Sequence, residues 1–295
     1  MTNRLLRAVV PATAGLLAVL VLLSVHPTGR DSSILNRGWN GLSRASDALH
    51  AAPLLSYESV RDASAPGTLI LIPRLLPADA ELDAMSAFVS SGGTLIVLDD
   101  FAFGNEVLSS LGVDIRFNGG TLMDPLYCHR NAAMPHAQVS VTGSAVLDGT
   151  IVLDHATWLD GVPEDRVWAW SSYFSYGDVD GDGTRDGGEP VGPLPVAAGV
   201  SLGSGRVVVV ADSSLLLNGV AGLGDNVRAL EPFVRGEVLI DQVHLPEAGM
   251  DRGQGVADVI RATLGAEVGA IVLAFVACGF AVGYAWYNRG RREHD

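Results

Sequence analysis

An α/β domain built on a parallel sheet, with a transmembrane helix flanking it at each end, is the fold class the sequence predicts. Three observations predict it: an uncharged apolar stretch near each terminus, short apolar runs alternating with helix-like segments from Thr68 onward, and a switch to short alternating runs between about Phe117 and Pro193.

The terminal stretches read AVVPATAGLLAVLVLLSV from Ala8 to Val25 and VGAIVLAFVACGFAVGYAWY from Val268 to Tyr287. An apolar helix of about 20 residues spans the roughly 30 Å hydrocarbon core of a bilayer. Pro11 falls in the first turn, where proline costs a helix little. Tyr284, Trp286 and Tyr287 fit an interfacial aromatic belt. Arg4 and Arg7 precede the first stretch, and Arg289, Arg291 and Arg292 follow the second. The positive-inside rule then places both termini in the cytoplasm and the middle of the chain outside, a two-pass protein of the cell membrane. The exit Leu23-Ser24-Val25-His26-Pro27 matches a signal-peptide cleavage site poorly, so the first stretch is expected to stay as an anchor.

Composition narrows the classes of partner. The 295 residues carry 33 acidic against 19 basic side chains, a formal charge of -14. Phosphate binding needs clustered Lys and Arg, so nucleic acid is not an expected partner. The mean hydropathy of +0.30 is high for a wholly soluble chain. Two cysteines, Cys128 and Cys278, support no disulfide framework.

Between the two spans the runs set an order. Asn36 to Ala51 reads as a helix. Thr68 to Ile72 and Thr94 to Leu98 are continuous apolar runs, as buried parallel strands are. Pro77 to Val89 lies between them, with Leu82, Met85, Phe88 and Val89 at helical spacing and Asp79, Glu81 and Asp83 in its first turn. Asn105 to Leu111 predicts a short helix. Pro195 to Leu202 and Arg206 to Ala211 read as strands joined by a turn at Gly203-Ser204-Gly205, and Asp225 to Val234 as a closing helix capped by Asp225 or Asn226. This β-α-β-α order implies a doubly wound, flavodoxin-like parallel sheet. The expected organisation is a cytoplasmic N-terminus and first anchor in 1–30, and an extracytoplasmic α/β domain in 31–236 with an inserted β-rich lobe at about 117–193. A stalk over 237–267, a second span over 268–287 and a cytoplasmic tail over 288–295 complete it.

Three sets of residues carry a resemblance: Trp39-Asn40-Gly41-Leu42-Ser43; Ser91-Gly92-Gly93-Thr94-Leu95; and Gly203-Ser204-Gly205-Arg206-Val207 with Asp212-Ser213-Ser214. Over most of Asp31 to Arg235 the chain resembles the prokaryotic membrane proteins of the domain of unknown function 4350. It is also similar to the glutamine-amidotransferase-like module of gliding-motility ABC-transporter auxiliary proteins. The resemblance implies an amidotransferase-like fold, a membrane setting and an envelope or ABC-type complex as partner; it implies no activity.

The strongest local signal for chemistry is Asp178-Val-Asp180-Gly-Asp182-Gly183-Thr184-Arg-Asp186-Gly-Gly-Glu189. Asp178, Asp180 and Asp182 fill positions one, three and five of a twelve-position calcium loop, and Gly183 supplies the turn at six. Thr184 offers its carbonyl at seven, Asp186 serves nine and Glu189 is the bidentate ligand at twelve. Ca²⁺ is therefore the expected metal, in a structural role. Position eight is Arg185 rather than an aliphatic residue, and Pro190, Pro193 and Pro195 forbid a following helix, so the loop stands outside a helix-loop-helix.

Other constellations are weaker. An amidotransferase-like elbow carries a nucleophile after a strand, but the candidate elbow reads Pro73-Arg74-Leu75. Cys128 and His129 are adjacent, a poor geometry for a nucleophile and its base. His129, His136 and His155 with Cys128 match no short zinc pattern. Asp99, Asp100 and Asp212 fall at strand ends, where open α/β sheets bind ligands, though acids there more often cap the turn that follows. Gly279 and Gly283 form a GxxxG pair suited to helix packing or self-association. The expected function is a membrane-anchored, non-enzymatic binding or accessory module. The alternative is a surface hydrolase using the strand-end carboxylates.

Overall fold

Continuous apolar runs with no side chain left over for solvent become central strands, and here they form the parallel half of a mixed sheet. The computed structural model describes residues 30–61, 67–140 and 149–246. Its strands in chain order are β1 (Ala52–Leu54), β2 (Thr68–Leu71), β3 (Thr94–Leu98), β4 (Arg116–Phe117), β5 (Thr121–Met123), β6 (His136–Val139) and β7 (Gly149–Val152). They continue as β8 (Leu159–Asp160), β9 (Val167–Ser171), β10 (Tyr176–Asp178), β11 (Pro195–Leu202), β12 (Gly205–Val210) and β13 (Val238–Asp241). The described α-helices are α1 (Ser43–Leu49), α2 (Glu58–Arg61), α3 (Asp79–Ser90) and α4 (Gly104–Ser110).

Nine strands share one sheet in the order β1-β13-β2-β3-β12-β11-β9-β6-β7. From β1 to β12 all neighbours run parallel; from β12 to β7 all run antiparallel. Two small antiparallel pairs, β5 with β10 and β4 with β8, lie outside it. The parallel, flavodoxin-like or amidotransferase-like sheet with an inserted β-rich lobe is thus corrected. β6, β7 and β9, which the sequence assigns to the lobe, extend the main sheet instead. The reason lies in the β11–β12 hairpin, which reverses the chain beside β12 and offers an antiparallel edge. β9 and β6, with Ala137, Val139, Val167 and Ala169 buried, add to that edge and close one core with the parallel half.

The flanking transmembrane helices and the two-pass location are corrected as well. Among the described residues no helix is long and apolar enough to cross a membrane. The stretches that carried the expectation, 8–25 and 268–287 with Gly279 and Gly283, lie outside the described residues. The stalk reading of 237–267 also fails where it can be followed: Val238–Asp241 is β13, an inner strand between β1 and β2.

Several local expectations meet their physical limits here. β2, β3 and α3 lie where the runs place them. In α3 the carboxylate of Glu81 accepts the Ala78 N–H at 2.7 Å, closing the first turn, while Leu82, Met85, Phe88 and Val89 bury the face that packs on β3 and β12. The helix expected over Asn36 to Ala51 shortens to α1. The closing helix over Asp225 to Val234 is a 3-10 turn over Arg228–Phe233, because Pro232 inside it has no N–H to donate. Asn226 caps nothing; its buried amide exchanges hydrogen bonds with both main-chain groups of Val152 at 2.8 Å.

The hairpin turn leaves no room for side chains. Gly203 sits at φ 58°, and a Cβ on Gly205 would stand 2.2 Å from the Val89 carbonyl oxygen and 2.3 Å from that of Gly93. Gly205→Ala is therefore expected to destabilise the protein by roughly 2 kcal/mol or more, since two backbone carbonyls must move. Urea unfolding checks it, and an unchanged midpoint refutes it.

Candidate functional site

Parallel strands deliver their following residues to one edge, and here that edge collects titratable groups. Asp99 and Asp100 follow β3, Asp212 and Ser213 follow β12, Asp241 ends β13, and Arg74 lies just beyond β2. The three carboxylates expected as candidate bases divide by what holds them. Asp99 accepts the Phe101 N–H at 2.9 Å and the Gly104 N–H at 2.6 Å. Asp212 accepts those of Ser214 at 2.6 Å and Asp154 at 2.9 Å. Both are fully buried and spend each oxygen on a backbone amide, so they fix loops. Burial raises both pKa values against those amide bonds, and Asp212 the further, by its burial first and then by the charge of Asp100.

Asp100 is different. Its Oδ1, the Ser213 hydroxyl and the Arg74 Nε are all buried without a hydrogen-bond partner. The Arg74 guanidinium lies 4.9 Å above the Phe101 ring. Burial pushes the Asp100 carboxyl up to about 6, with nearby Ser213 and Arg74 opposing and Asp99 reinforcing the shift.

A second cluster at the same edge has no counterpart in the sequence reading. His244 is buried, with Nδ1 3.0 Å from Asp241 Oδ2 and Nε2 3.0 Å from Glu81 Oε2. The Tyr57 hydroxyl donates to Asp241 Oδ1 at 3.2 Å. Burial alone would lower the His244 pKa, but its two carboxylate partners outweigh that and raise it. Burial next to Asp241 and Glu81 raises the Tyr57 phenol well above its ordinary range. The arrangement ties β13 to α3 and to the turn after β1. Tyr57 and Glu81 lie far in sequence from Asp241 and His244, so no spacing reveals it.

The acidic loop leaves β10 at Asp178. The ligand oxygens of Asp178, Asp180 and Asp182 lie within 4.8 Å of one another. Asp178 accepts the Gly181 N–H at 2.8 Å and the Gly183 N–H at 2.9 Å; Asp182 accepts that of Thr184 at 2.7 Å. Glu189 folds back, accepting the N–H groups of Val179 at 2.8 Å and Asp186 at 2.9 Å. Gly181 and Gly183 take φ 79° and 76°, which only a residue without Cβ adopts freely. Five carboxylates in a twelve-residue loop, with three drawn together, suit a hard divalent cation. Among the described residues the histidines and Cys128 form no metal-ligating group; His155 is bound to Asp154 at 2.8 Å, and the His136 Nε2 is buried without a partner.

A cleft of about 510 Å³ opens on the antiparallel side, with Tyr127, Trp170, Tyr173 and Phe174 in its lining. These aromatics show no periodicity in the sequence.

The sign of the Asp100 shift gives a test. A carboxyl whose folded pKa exceeds its unfolded value stabilises the fold while protonated and loses that contribution as the pH rises through about 4 to about 6. Asp100→Asn is expected to gain about 1–2 kcal/mol over the parent at pH 7 and nothing near pH 4, allowing for partial exposure. Urea unfolding at the two pH values measures it; an equal effect at both refutes the assignment.

Among solved structures, one described as the mmIFT52 N-terminal domain is 15% identical over 60% of this chain and 78% of that one, with a TM-score of 0.44. A β-galactosidase from Bacillus circulans sp. alkalophilus is 16% identical over 57% of this chain and 23% of its own length, with a TM-score of 0.33. Neither likeness is close enough to carry an argument. No curated protein matches the chain. The family model for "Domain of unknown function (DUF4350)" matches residues 34–234, which is more than half of the sequence and takes in every described strand of the sheet except β13, so the chain belongs to the DUF4350 family.

Proposed function

We propose that the chain is a non-catalytic binding module whose acidic loop holds a structural Ca²⁺. The carrying observation is the convergence of Asp178, Asp180 and Asp182 on a loop that Glu189 closes. Asp178, Asp180, Asp182, Asp186, Glu189 and the carbonyl of Thr184 are the ligands in this reading. The ion neutralises carboxylates that otherwise repel one another and fixes the span between β10 and β11.

The binding reading is preferred to the hydrolase reading because of how the strand-end acids are used. Asp99 and Asp212 hold backbone amides with both oxygens and are poorly placed to take a proton from a substrate. Asp100 alone keeps an oxygen without a partner. It stands beside a buried hydroxyl and a guanidinium, a setting that suits holding a polar group.

A cation that binds only the folded state raises stability by about 2.7 kcal/mol at a hundred times its Kd. Millimolar Ca²⁺ is therefore expected to raise the melting temperature of the full-length protein by several degrees, and Mg²⁺ to do less. Asp182→Ala and Glu189→Ala are expected to abolish the rise. A melting temperature indifferent to Ca²⁺ sinks the calcium reading.

A further inference from the structure

The cleft on the antiparallel side is built from two loops and a sheet face. Gln138 of β6 and Trp170 of β9 are opposite one another in register, while their neighbours Ala137, Val139 and Ala169 are buried in the core. Gln138 and Trp170 therefore form an outward-facing floor. The wall is aromatic: the Tyr127 and Phe174 rings stack with centroids 6.0 Å apart, 9° from parallel. Tyr127 is 56% exposed, Phe174 53% and Tyr173 81%. So much aromatic surface in one place is unusual for a face that meets only water.

The wall is held in advance. Asp124 is fully buried, and its Oδ1 accepts the N–H groups of Leu126 at 2.9 Å and Tyr127 at 2.8 Å. Its Oδ2 accepts the Ser172 hydroxyl, whose oxygen accepts the Phe174 N–H at 3.0 Å. One carboxylate thus fixes the main chain beneath both stacked rings, which lowers the ordering cost that a ligand meets there.

The lining decides the chemistry of the occupant. Glu164 is the one charged residue among the described residues of the cleft, with no Lys, Arg or His. Phosphate, carboxylate and sulfate ligands find no counter-charge there. β6 pairs with β7 and β9, and β9 with β6 and β11, so the floor has no open strand edge to which a peptide could add. A proline-rich helix offers carbonyl acceptors and few donors, so it makes no use of the exposed Glu164 carboxylate, which stays with water. Sugar rings fit every term. Their apolar faces lie on aromatic faces, and their hydroxyls both donate to a carboxylate and accept from amides and hydroxyls. A cleft of about 510 Å³ is within the range of ordinary ligand sites and exceeds a single small group.

We propose that the cleft walled by Tyr127 and Phe174 over Trp170 binds a neutral oligosaccharide. The proposal rests on the reading of the chain as a binding module and names its ligand class. The acidic loop lies within the same excursion from β9 to β11: Phe174 precedes it, and Pro193, also at the cleft, follows it.

The test is calorimetric titration of the full-length protein in Ca²⁺ with neutral gluco-, galacto-, manno- and xylo-oligosaccharides, after the melting-temperature response to Ca²⁺ has been recorded on the same preparation. Saturable binding of at least one series is expected, unaffected by salt because the ligand is uncharged. Tyr127→Ala or Phe174→Ala is expected to weaken it about tenfold, the size of one lost aromatic contact. Tyr173→Ala and Glu164→Gln, at exposed positions that the fold does not need, are expected to weaken it severalfold while leaving the melting temperature unchanged. No binding at millimolar sugar overturns the proposal, as does binding indifferent to all four substitutions. Capture of a proline-rich peptide in place of sugar, or salt-sensitive capture of a cationic peptide, overturns it too. A Ca²⁺ response without sugar binding removes only the cleft assignment; sugar binding without a Ca²⁺ response removes only the calcium reading.

Discussion

β12 is the strand on which the rest of the protein depends. Val207 to Val210 are fully buried, with β3 alongside in parallel and β11 alongside antiparallel. It is the seam where crossover connections give way to hairpins. The seam exists because the chain reverses through Gly203-Ser204-Gly205 under the end of α3, where a side chain at Gly205 collides with two carbonyl oxygens. Remove that reversal and the antiparallel wing loses the edge it is built on. The cleft floor and the anchoring of the acidic loop go with it.

Two buried amides secure the ends of this arrangement. Asn226 satisfies both main-chain groups of Val152 at the outer strand β7. Asn218, also buried, donates to the carbonyls of Asn36 at 2.9 Å and Gly38 at 2.6 Å and accepts the Arg44 N–H at 2.9 Å, fixing the segment that leads into α1. Each replaces a stretch of regular hydrogen bonding that the irregular chain cannot supply for itself. The strand-end acids Asp99 and Asp212 act in the same way. Polar side chains that look catalytic by position are here main-chain partners, and Asp100 stands out because it is not one.

What the sequence reveals follows from how local each signal is. β2, β3 and β12 are legible because a strand buried on both faces must be apolar throughout, and α3 because its period and acidic first turn agree. The acidic loop is legible because its ligands lie within twelve residues. The antiparallel wing is half legible: the alternation of β6, with Ala137 and Val139 buried, marks a strand but cannot say which edge it joins. β13 is four residues long, follows the charged Glu237 and ends on Asp241, which hides it in what reads as a polar stalk. Tyr57, Glu81, Asp241 and His244 meet only in three dimensions, as do Asp124, Tyr127 and Ser172.

The place of β13 also shapes the order in which the protein can be assembled. It enters the sheet between β1 and β2, pairing Ala52 with Leu239 and Thr68 with Val238. Nearly the whole of the described chain must be synthesised before that slot can be filled. Until then β1 has no neighbour in the sheet, and one side of β2 remains an open, apolar edge of the kind that pairs with other chains. Such sequence-distant pairing is slow. A nascent chain of this protein therefore waits longest for β13, and it is vulnerable to aggregation until Tyr57 and Glu81 gain their partners in Asp241 and His244.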